Sequence, residues 1–134
     1  MERIVILDNE YATLWCYPKK EIVHHQFHKF ANADRFQEVL TKGAEAFKEH
    51  RCTKWLSDDR AIGIVHPDDA AWGEKNWTPT MIKAGWKYWA VLMPSKTTGQ
   101  MGMKKIAEHF MKNGITLKTF IDTDEAMLWL INRQ

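Results

Sequence analysis

The sequence predicts an α/β fold: a mixed sheet with an N-terminal antiparallel meander followed by βα crossover units. Two observations lead to this prediction. Over the first 28 residues, apolar side chains occur in short strand-like runs separated by turn residues, whereas from Asp34 onward they recur at helical spacing. Beyond that point, helical stripes and short apolar runs alternate, which is typical of parallel strands joined by right-handed crossovers. The chain of 134 residues is accordingly predicted to form one domain, residues 1–134.

The N-terminal meander is predicted from three strand-like runs. These runs are residues 4–7 (IVIL), 12–17 (ATLWCY) and 22–28 (IVHHQFH). Turn residues separate them, first Asp8-Asn9-Glu10 and then residues 18–21 (PKKE). Three strands joined by two turns therefore make up the predicted meander.

A helical stripe predicts the first helix over residues 34–49. Its apolar positions are Phe36, Val39, Leu40, Gly43 and Phe47. Asn32 and Asp34 are both suitable N-cap residues for this helix. The following short strand contains Trp55-Leu56 and ends at an acidic cluster that begins with Asp58.

Proline and glycine positions delimit the second helix. In the run Pro67-Asp68-Asp69, the proline suits the first helical position and the carboxylates suit the first turn. Pro79 is predicted to break or kink this helix, because proline lacks the N–H that the helix interior needs. Gly85 is predicted to terminate it.

Two strands and two helices complete the predicted order β-β-β-α-β-α-β-α-β-α. Residues 88–93 (YWAVLM) are apolar without alternation, which predicts a strand covered on both faces. A helix over about 98–112 is followed by Gly114, a suitable C-cap. Residues 116–121 (TLKTFI) alternate as a strand, and residues 122–125 (DTDE) supply a capping box for the last helix.

Composition narrows the class of protein. The net charge is only +2 and the basic residues are scattered, so no nucleic-acid partner is predicted. No apolar run approaches the roughly 20 residues that a transmembrane helix needs, so no membrane insertion is predicted. Cys16 and Cys52 are far apart and form no CxxC motif, which predicts two free thiols and a cytoplasmic location.

Three features of the chain point to a known family: the layout of its elements, the segments WLSDD and GWKYWAVLMP, and the closing helix Asp122–Ile131. Together they resemble the STAS domain (sulphate transporter and anti-sigma factor antagonist), in particular its bacterial SpoIIAA-like branch. In anti-sigma factor antagonists of this family, the loop after the corresponding strand carries a phosphorylatable Ser or Thr at the N-terminus of the next helix. The matching place here, residues 65–69 (VHPDD), has no hydroxyl group.

The resemblance implies a non-catalytic bacterial regulatory module. Such a module would bind a protein partner or a second copy of itself, and its contact surface would be the edge formed by residues 58–69. Because residues 65–69 have no hydroxyl group, switching by phosphorylation is not supported. Contact with a partner through this edge does not need that group and is still expected.

The segment KWLSDDRAIGIVHPDD, residues 54–69, is the predicted location of a binding site. Ligands of open α/β sheets bind beyond the carboxyl ends of parallel strands, and both ends of this loop fall at that edge. The predicted binding residues here are Asp58, Asp59, Arg60, His66 and Asp68. In this hypothesis Arg60 clamps an anion, and Asp59 or His66 carries a proton. In the structural alternative, Asp68 and Asp69 complement the helix dipole and Arg60 neutralises an aspartate.

Aromatic residues lead to a second binding hypothesis. Trp72 and Trp77 lie on the helix interrupted by Pro79. Together with Trp89 they would line a pocket for a small apolar or lipid-like molecule. The alternative is that these rings pack in the core, which is the commoner role of large aromatic side chains.

Nucleophilic catalysis and metal binding have weaker support. A weak hydrolase that uses Asp58, Asp59 and His66 is the third hypothesis, although the chain has no GxSxG elbow. His24 and His28 would share a strand face about 13 Å apart, which is too far for both to bind one metal ion. No cofactor and no metal site are therefore predicted.

Overall fold

The computed structural model describes residues 1–95 and 100–134, and within these residues the strands form a six-stranded sheet. They are β1 (Ile4–Asp8), β2 (Ala12–Tyr17), β3 (Ile22–Phe27), β4 (Lys54–Asp58), β5 (Tyr88–Leu92) and β6 (Thr116–Phe120). The strands lie in chain order, with β1 to β3 antiparallel and β3 to β6 parallel. The predicted α/β class, with an antiparallel start followed by parallel strands, is confirmed.

Helices follow the strands in the predicted alternation. They are α1 (Ala33–Glu49), α2 (Pro67–Trp72), α3 (Thr78–Lys83), α4 (Gln100–Lys112) and α5 (Thr123–Ile131). A 3-10 turn, Pro18–Lys20, joins β2 to β3, and a π-helical turn, Gly73–Trp77, joins α2 to α3. The predicted start of α4 near residue 98 lies outside the described residues.

Side chains of the parallel strands alternate between two buried faces of the sheet. On the first face, Val23 and Trp55 pack in a cluster with residues of α1, α3 and α4. On the second face, Ile22 and Leu56 pack in a cluster with residues of α5. Because both faces are covered, β4 and β5 have apolar residues at successive positions, as the run 88–93 indicated.

Pro79 interrupts the second predicted helix. The chain makes a π-helical turn and then resumes as α3, with Pro79 in the first turn of α3. Proline is tolerated there because N–H groups of a first turn have no acceptor within the helix. The chain leaves α3 through Gly85, whose φ of 97° is a conformation that favours glycine.

The N-terminus of α1 is capped from another helix. Asn32 occupies the N-cap position but its side chain makes no capping hydrogen bond, and Asp34 lies inside the first turn. Instead, the carboxylate of Asp69 in α2 accepts the Ala33 backbone N–H at 2.9 Å and the Gln37 side-chain amide at 3.3 Å. Asn32 is thus the N-cap residue by position, as predicted, but the side chain that accepts the first N–H of the helix comes from a residue 36 positions away.

Candidate functional site

The carboxyl ends of β3 to β6 and the β1–β2 turn lie at one edge of the sheet, which we call the carboxyl edge. β4 ends here at Asp58, and residues 59–66 lead from it to the start of α2. Arg60 donates to the hydroxyl of Thr123 at 3.1 Å, where α5 begins, and Asp69 reaches the start of α1. The segment 58–69 therefore adjoins the N-termini of α1, α2 and α5.

Asp58 and Arg60 form a two-point ion pair on the second face. The guanidinium of Arg60 donates to Asp58 Oδ1 at 2.9 Å and to Asp58 Oδ2 at 2.8 Å. Burial raises the pKa of Asp58, but the hydrogen bonds and charge of Arg60 outweigh burial and hold it below its ordinary value. The hydrogen bond to Asp58 likewise raises the pKa of Arg60. Arg60 thus neutralises a buried aspartate, and the N–H groups used in this pair are not open to an external anion.

Asp59 belongs to a hydrogen-bonded chain on the first face. Trp55 donates its Nε1–H to His25 Nδ1 at 2.9 Å, and His25 Nε2 lies 2.7 Å from Asp59 Oδ1. Because Nδ1 accepts a hydrogen bond, a neutral His25 carries its proton on Nε2 and donates it to Asp59. Asp58 and Asp59, although adjacent, therefore engage opposite faces of the sheet. The site predicted from sequence did not include His25, although strand alternation places it on the same face as Phe27.

His66, Asp68 and Asp69 organise the starts of two helices. His66 is the N-cap residue of α2, and its Nδ1 accepts the backbone N–H of Asp68 at 3.1 Å. Asp69 is only 2% exposed and caps α1, whereas the side chain of Asp68 is 92% exposed. Asp69 thus has a structural role, and Asp68 remains accessible to a partner.

Among the described residues, the hydroxyl of Ser57, near the end of β4, is not paired with a base. Ser57 is buried, and its Oγ accepts the Nε1–H of Trp89 at 2.8 Å. Both ring nitrogens of the neighbouring His25 are engaged, so His25 has no free nitrogen to take a proton from Ser57. The residues of the hydrolase hypothesis are engaged in the contacts described above. This geometry gives that hypothesis no support.

Trp72 and Trp77 line a groove of about 280 Å³ between α1 and the π-helical turn. Polar side chains of α1 form the opposite wall of this groove. Trp89 is not in the lining of this groove, and its ring packs against that of Phe110 at a centroid distance of 4.9 Å. The structure therefore brings Trp72 and Trp77 to one groove and places Trp89 elsewhere on the first face.

His24 is a buried imidazole on the second face. Its ring lies 4.6 Å from that of Trp15 and 6.2 Å from that of Tyr17, measured between centroids. The Tyr17 hydroxyl lies 3.3 Å from Nδ1, while Nε2 has no hydrogen-bond partner among the described residues. Burial, and to a lesser extent the charge of His25, lowers the pKa of His24 to about 3. His24 is therefore neutral at neutral pH.

The carboxyl edge also presents apolar side chains to solvent. Ile64 is 87% exposed in the β4–α2 loop, and Phe30 is half exposed in the neighbouring β3–α1 loop. Among the residues that the structure describes, the charged segments at this edge are 8–11, 28–35, 58–69 and 120–125. They contain ten acidic and three basic side chains, whereas the whole chain has a net charge of +2. The edge is thus acidic and carries exposed apolar side chains.

Within residues 1–95 and 100–134, no three His, Cys, Asp or Glu side chains are grouped so that they could hold a metal ion. In the same part of the chain, no helix has the length and apolar character needed to cross a membrane. Comparisons with family models, with curated proteins and with solved structures found no match to this chain.

Proposed function

We propose that this protein is a non-catalytic interaction module of the STAS type, close to its SpoIIAA-like branch, and that it binds a protein partner through the carboxyl edge. The mixed sheet with helices on both faces is compatible with the family that the sequence resembles. The polar groups of residues 58–69 are largely engaged with each other or with helix starts, which favours a surface for docking over a site for chemistry.

The observation that carries this proposal is the conformation of the loop around Ile64. Ile62 is buried and Val65 packs against the core, so the loop is held on both sides of Ile64. Gly63, with a φ of 79°, turns the chain between Ile62 and Ile64. An apolar side chain held outward on an anchored loop loses little conformational freedom when it binds, which favours its use as a contact.

The charge of the carboxyl edge indicates the chemistry of the partner. Asp68 is exposed at this edge, and acidic side chains outnumber basic ones in the segment around Ile64, residues 58–69. A protein surface with basic side chains around an apolar recess complements this arrangement in both charge and polarity. We therefore take a basic protein surface as the partner.

Ile64→Glu tests this proposal, with Leu128→Glu as its matched control. Leu128 is 61% exposed on α5 and lies outside the edge segments. In quantitative affinity capture from cell extract, Ile64→Glu is expected to lose a basic partner that the wild type and Leu128→Glu retain. Added salt should weaken the same interaction, because complementary charges are screened. Equal recovery of every captured protein by both variants would contradict the proposal.

Sedimentation velocity of the purified chain distinguishes a second copy from another protein. A monomer at the concentrations used for capture agrees with a separate basic partner. A wild-type dimer that Ile64→Glu dissociates and Leu128→Glu leaves intact would identify a second copy as the partner instead.

A small apolar ligand in the groove beside Trp72 is a second candidate. The groove adjoins a π-helical turn, a feature that occurs frequently at functional sites. An anilinonaphthalene probe should bind the wild type and quench its tryptophan fluorescence, and Thr41→Phe should block binding because Thr41 lines the groove. Glu38→Phe, on α1 outside the groove lining, serves as control. Equal probe binding by Thr41→Phe would exclude this groove.

A further inference from the structure

The fold brings the two cysteines of the chain into contact. Cys16 lies in β2, and Cys52 lies between α1 and β4, 36 positions later. Their Sγ atoms are 3.8 Å apart, and both side chains are fully buried. Nothing in the spacing of the two residues indicated this contact.

Regular backbone structure holds each cysteine in place. Cys16 is paired with Ile4 of β1 on one side and with Val23 of β3 on the other. Cys52 is held by the end of α1, where its N–H donates to the carbonyl of Phe47 at 2.8 Å. The preceding residue, Arg51, has a φ of 53° and donates to the carbonyl of Lys48 at 3.2 Å, which completes a Schellman motif. The two sulfur atoms are therefore positioned by the fold.

The contact between the two thiols shifts their pKa values in opposite directions. The hydrogen bond from Cys52 lowers the pKa of Cys16, whereas the same contact together with burial raises the pKa of Cys52. The thiolate is the nucleophile in disulfide exchange, so Cys16 is the residue that attacks first.

We propose that Cys16 and Cys52 are a dithiol site that forms an intramolecular disulfide by exchange with a low-molecular-weight disulfide such as oxidised glutathione. The Sγ atoms are 3.8 Å apart and have to approach by about 2 Å to reach the length of a disulfide bond. Because both sulfurs are buried, the first attack takes place when the end of α1 opens locally.

The exchange proceeds in two balanced steps. The Cys16 thiolate attacks one sulfur of the oxidant, the S–S bond of the oxidant breaks, and one thiolate leaves. Cys52, deprotonated, then attacks Cys16 Sγ and releases the second thiolate. The protons of the two cysteine thiols end on the two released thiols, so that the chain is oxidised by two electrons and the oxidant is reduced by two.

The disulfide would link the first hairpin to the junction between α1 and β4. Because the folded chain already holds the sulfurs together, oxidation should be more favourable in the folded chain than in the unfolded chain. By linkage, the disulfide should also stabilise the fold. This inference does not depend on the proposed docking function.

The experiment is a redox titration with the glutathione couple, followed by intact mass and by peptide mapping. The native chain is expected to become 2 Da lighter, as a monomer with Cys16 linked to Cys52. The equilibrium constant for oxidation should be at least about tenfold larger than that of the same chain in guanidinium chloride. Cys16→Ala and Cys52→Ala should never show the 2 Da loss.

The opposite results would overturn the inference. An oxidation constant in the native chain that is equal to or smaller than that of the unfolded chain would mean that the folded geometry opposes the bond. Glutathione adducts or disulfide-linked dimers in place of the 2 Da loss would show that the two sulfurs do not reach each other within one chain.

Discussion

Acid is expected to destabilise this protein through His24, and His24→Leu is expected to remove that effect. The imidazole is buried between Trp15 and Tyr17 on the second face. In the folded chain its pKa is about 3 instead of the ordinary 6.5, mainly because burial disfavours the charged form. The unfolded chain therefore takes up a proton at His24 at pH values where the folded chain does not.

The sign and size of the effect follow from this lowered pKa. Above pH 6.5 the imidazole is neutral in both the folded and the unfolded chain. His24 therefore contributes no pH dependence to the free energy of unfolding in that range. Between pH 6.5 and the folded value of about 3, the unfolded state binds more protons. The free energy of unfolding then falls by about 1.4 kcal/mol for each pH unit. Two units of acidification remove about 2–3 kcal/mol, a large share of the roughly 5–15 kcal/mol typical of a domain.

Neighbouring charges define the pH window in which His24 can be observed. The charge of Asp58 raises the pKa of His24, whereas the charges of His25, Arg3 and Arg60 lower it. The pKa of Asp58 is itself lowered in the folded chain. The ionised Asp58 therefore stabilises the fold above its ordinary pKa of 3.8, and this contribution to stability is lost as the pH falls below that value. Measurements above about pH 4.5 therefore report on His24 with little contribution from Asp58.

Urea denaturation followed by tryptophan fluorescence, from about pH 7.5 to about pH 4.5, measures the effect. His24→Leu should lose less stability than the wild type on acidification, by about 1.4 kcal/mol per pH unit below pH 6.5. His109→Leu, at an exposed position of α4, should follow the wild type. Parallel losses in the wild type and His24→Leu would refute the reasoning, because His24 would then bind its proton equally well in both states.

The remaining predictions concern backbone and packing, and urea denaturation at neutral pH measures each of them. Asp69→Ala should lower the free energy of unfolding by about 1–3 kcal/mol, because it leaves the first N–H of α1 without its acceptor. Asp68→Ala should change it by less than about 0.5 kcal/mol, and an equal loss in both would refute the distinction. Gly43→Ala should cost about 1–3 kcal/mol, because a methyl group at Gly43 would overlap the indole of Trp55, and an unchanged stability would contradict this close packing. Arg51→Gly should add about 0.5–1 kcal/mol by relieving a left-handed conformation, and a loss would show that the Arg51 side chain matters more.

Local patterns in the sequence predicted most of the elements. The spacing of Phe36, Val39 and Phe47 is periodic within α1, and the apolar run 88–93 is contiguous, so neither needs information from elsewhere in the chain. Crossover geometry then placed Asp58 and the start of α2 at one edge, because parallel strands joined by helices end on the same side.

Contacts between distant residues could not be predicted in the same way. The His25–Asp59 hydrogen bond joins residues 34 positions apart, and the capping of α1 by Asp69 spans 36 positions. Each depends on the order and register of strands, and a one-residue shift in register would reverse the face of every side chain. Alternation could have drawn attention to His25, since it lies on a buried face beside the carboxyl end of β3. No local pattern relates Cys16 to Cys52.

The directions of adjacent residues at the carboxyl edge favour the proposed docking surface over a compact site. A small polar ligand or a catalysed reaction needs charged groups that converge on one point. Asp58 turns to the second face and Arg60, while Asp59 turns to the first face and His25. The sheet itself separates these pairs, so residues 58–60 cannot act together on a small molecule. Ile64, 87% exposed at the same edge, is an apolar side chain of the kind that suits a protein surface.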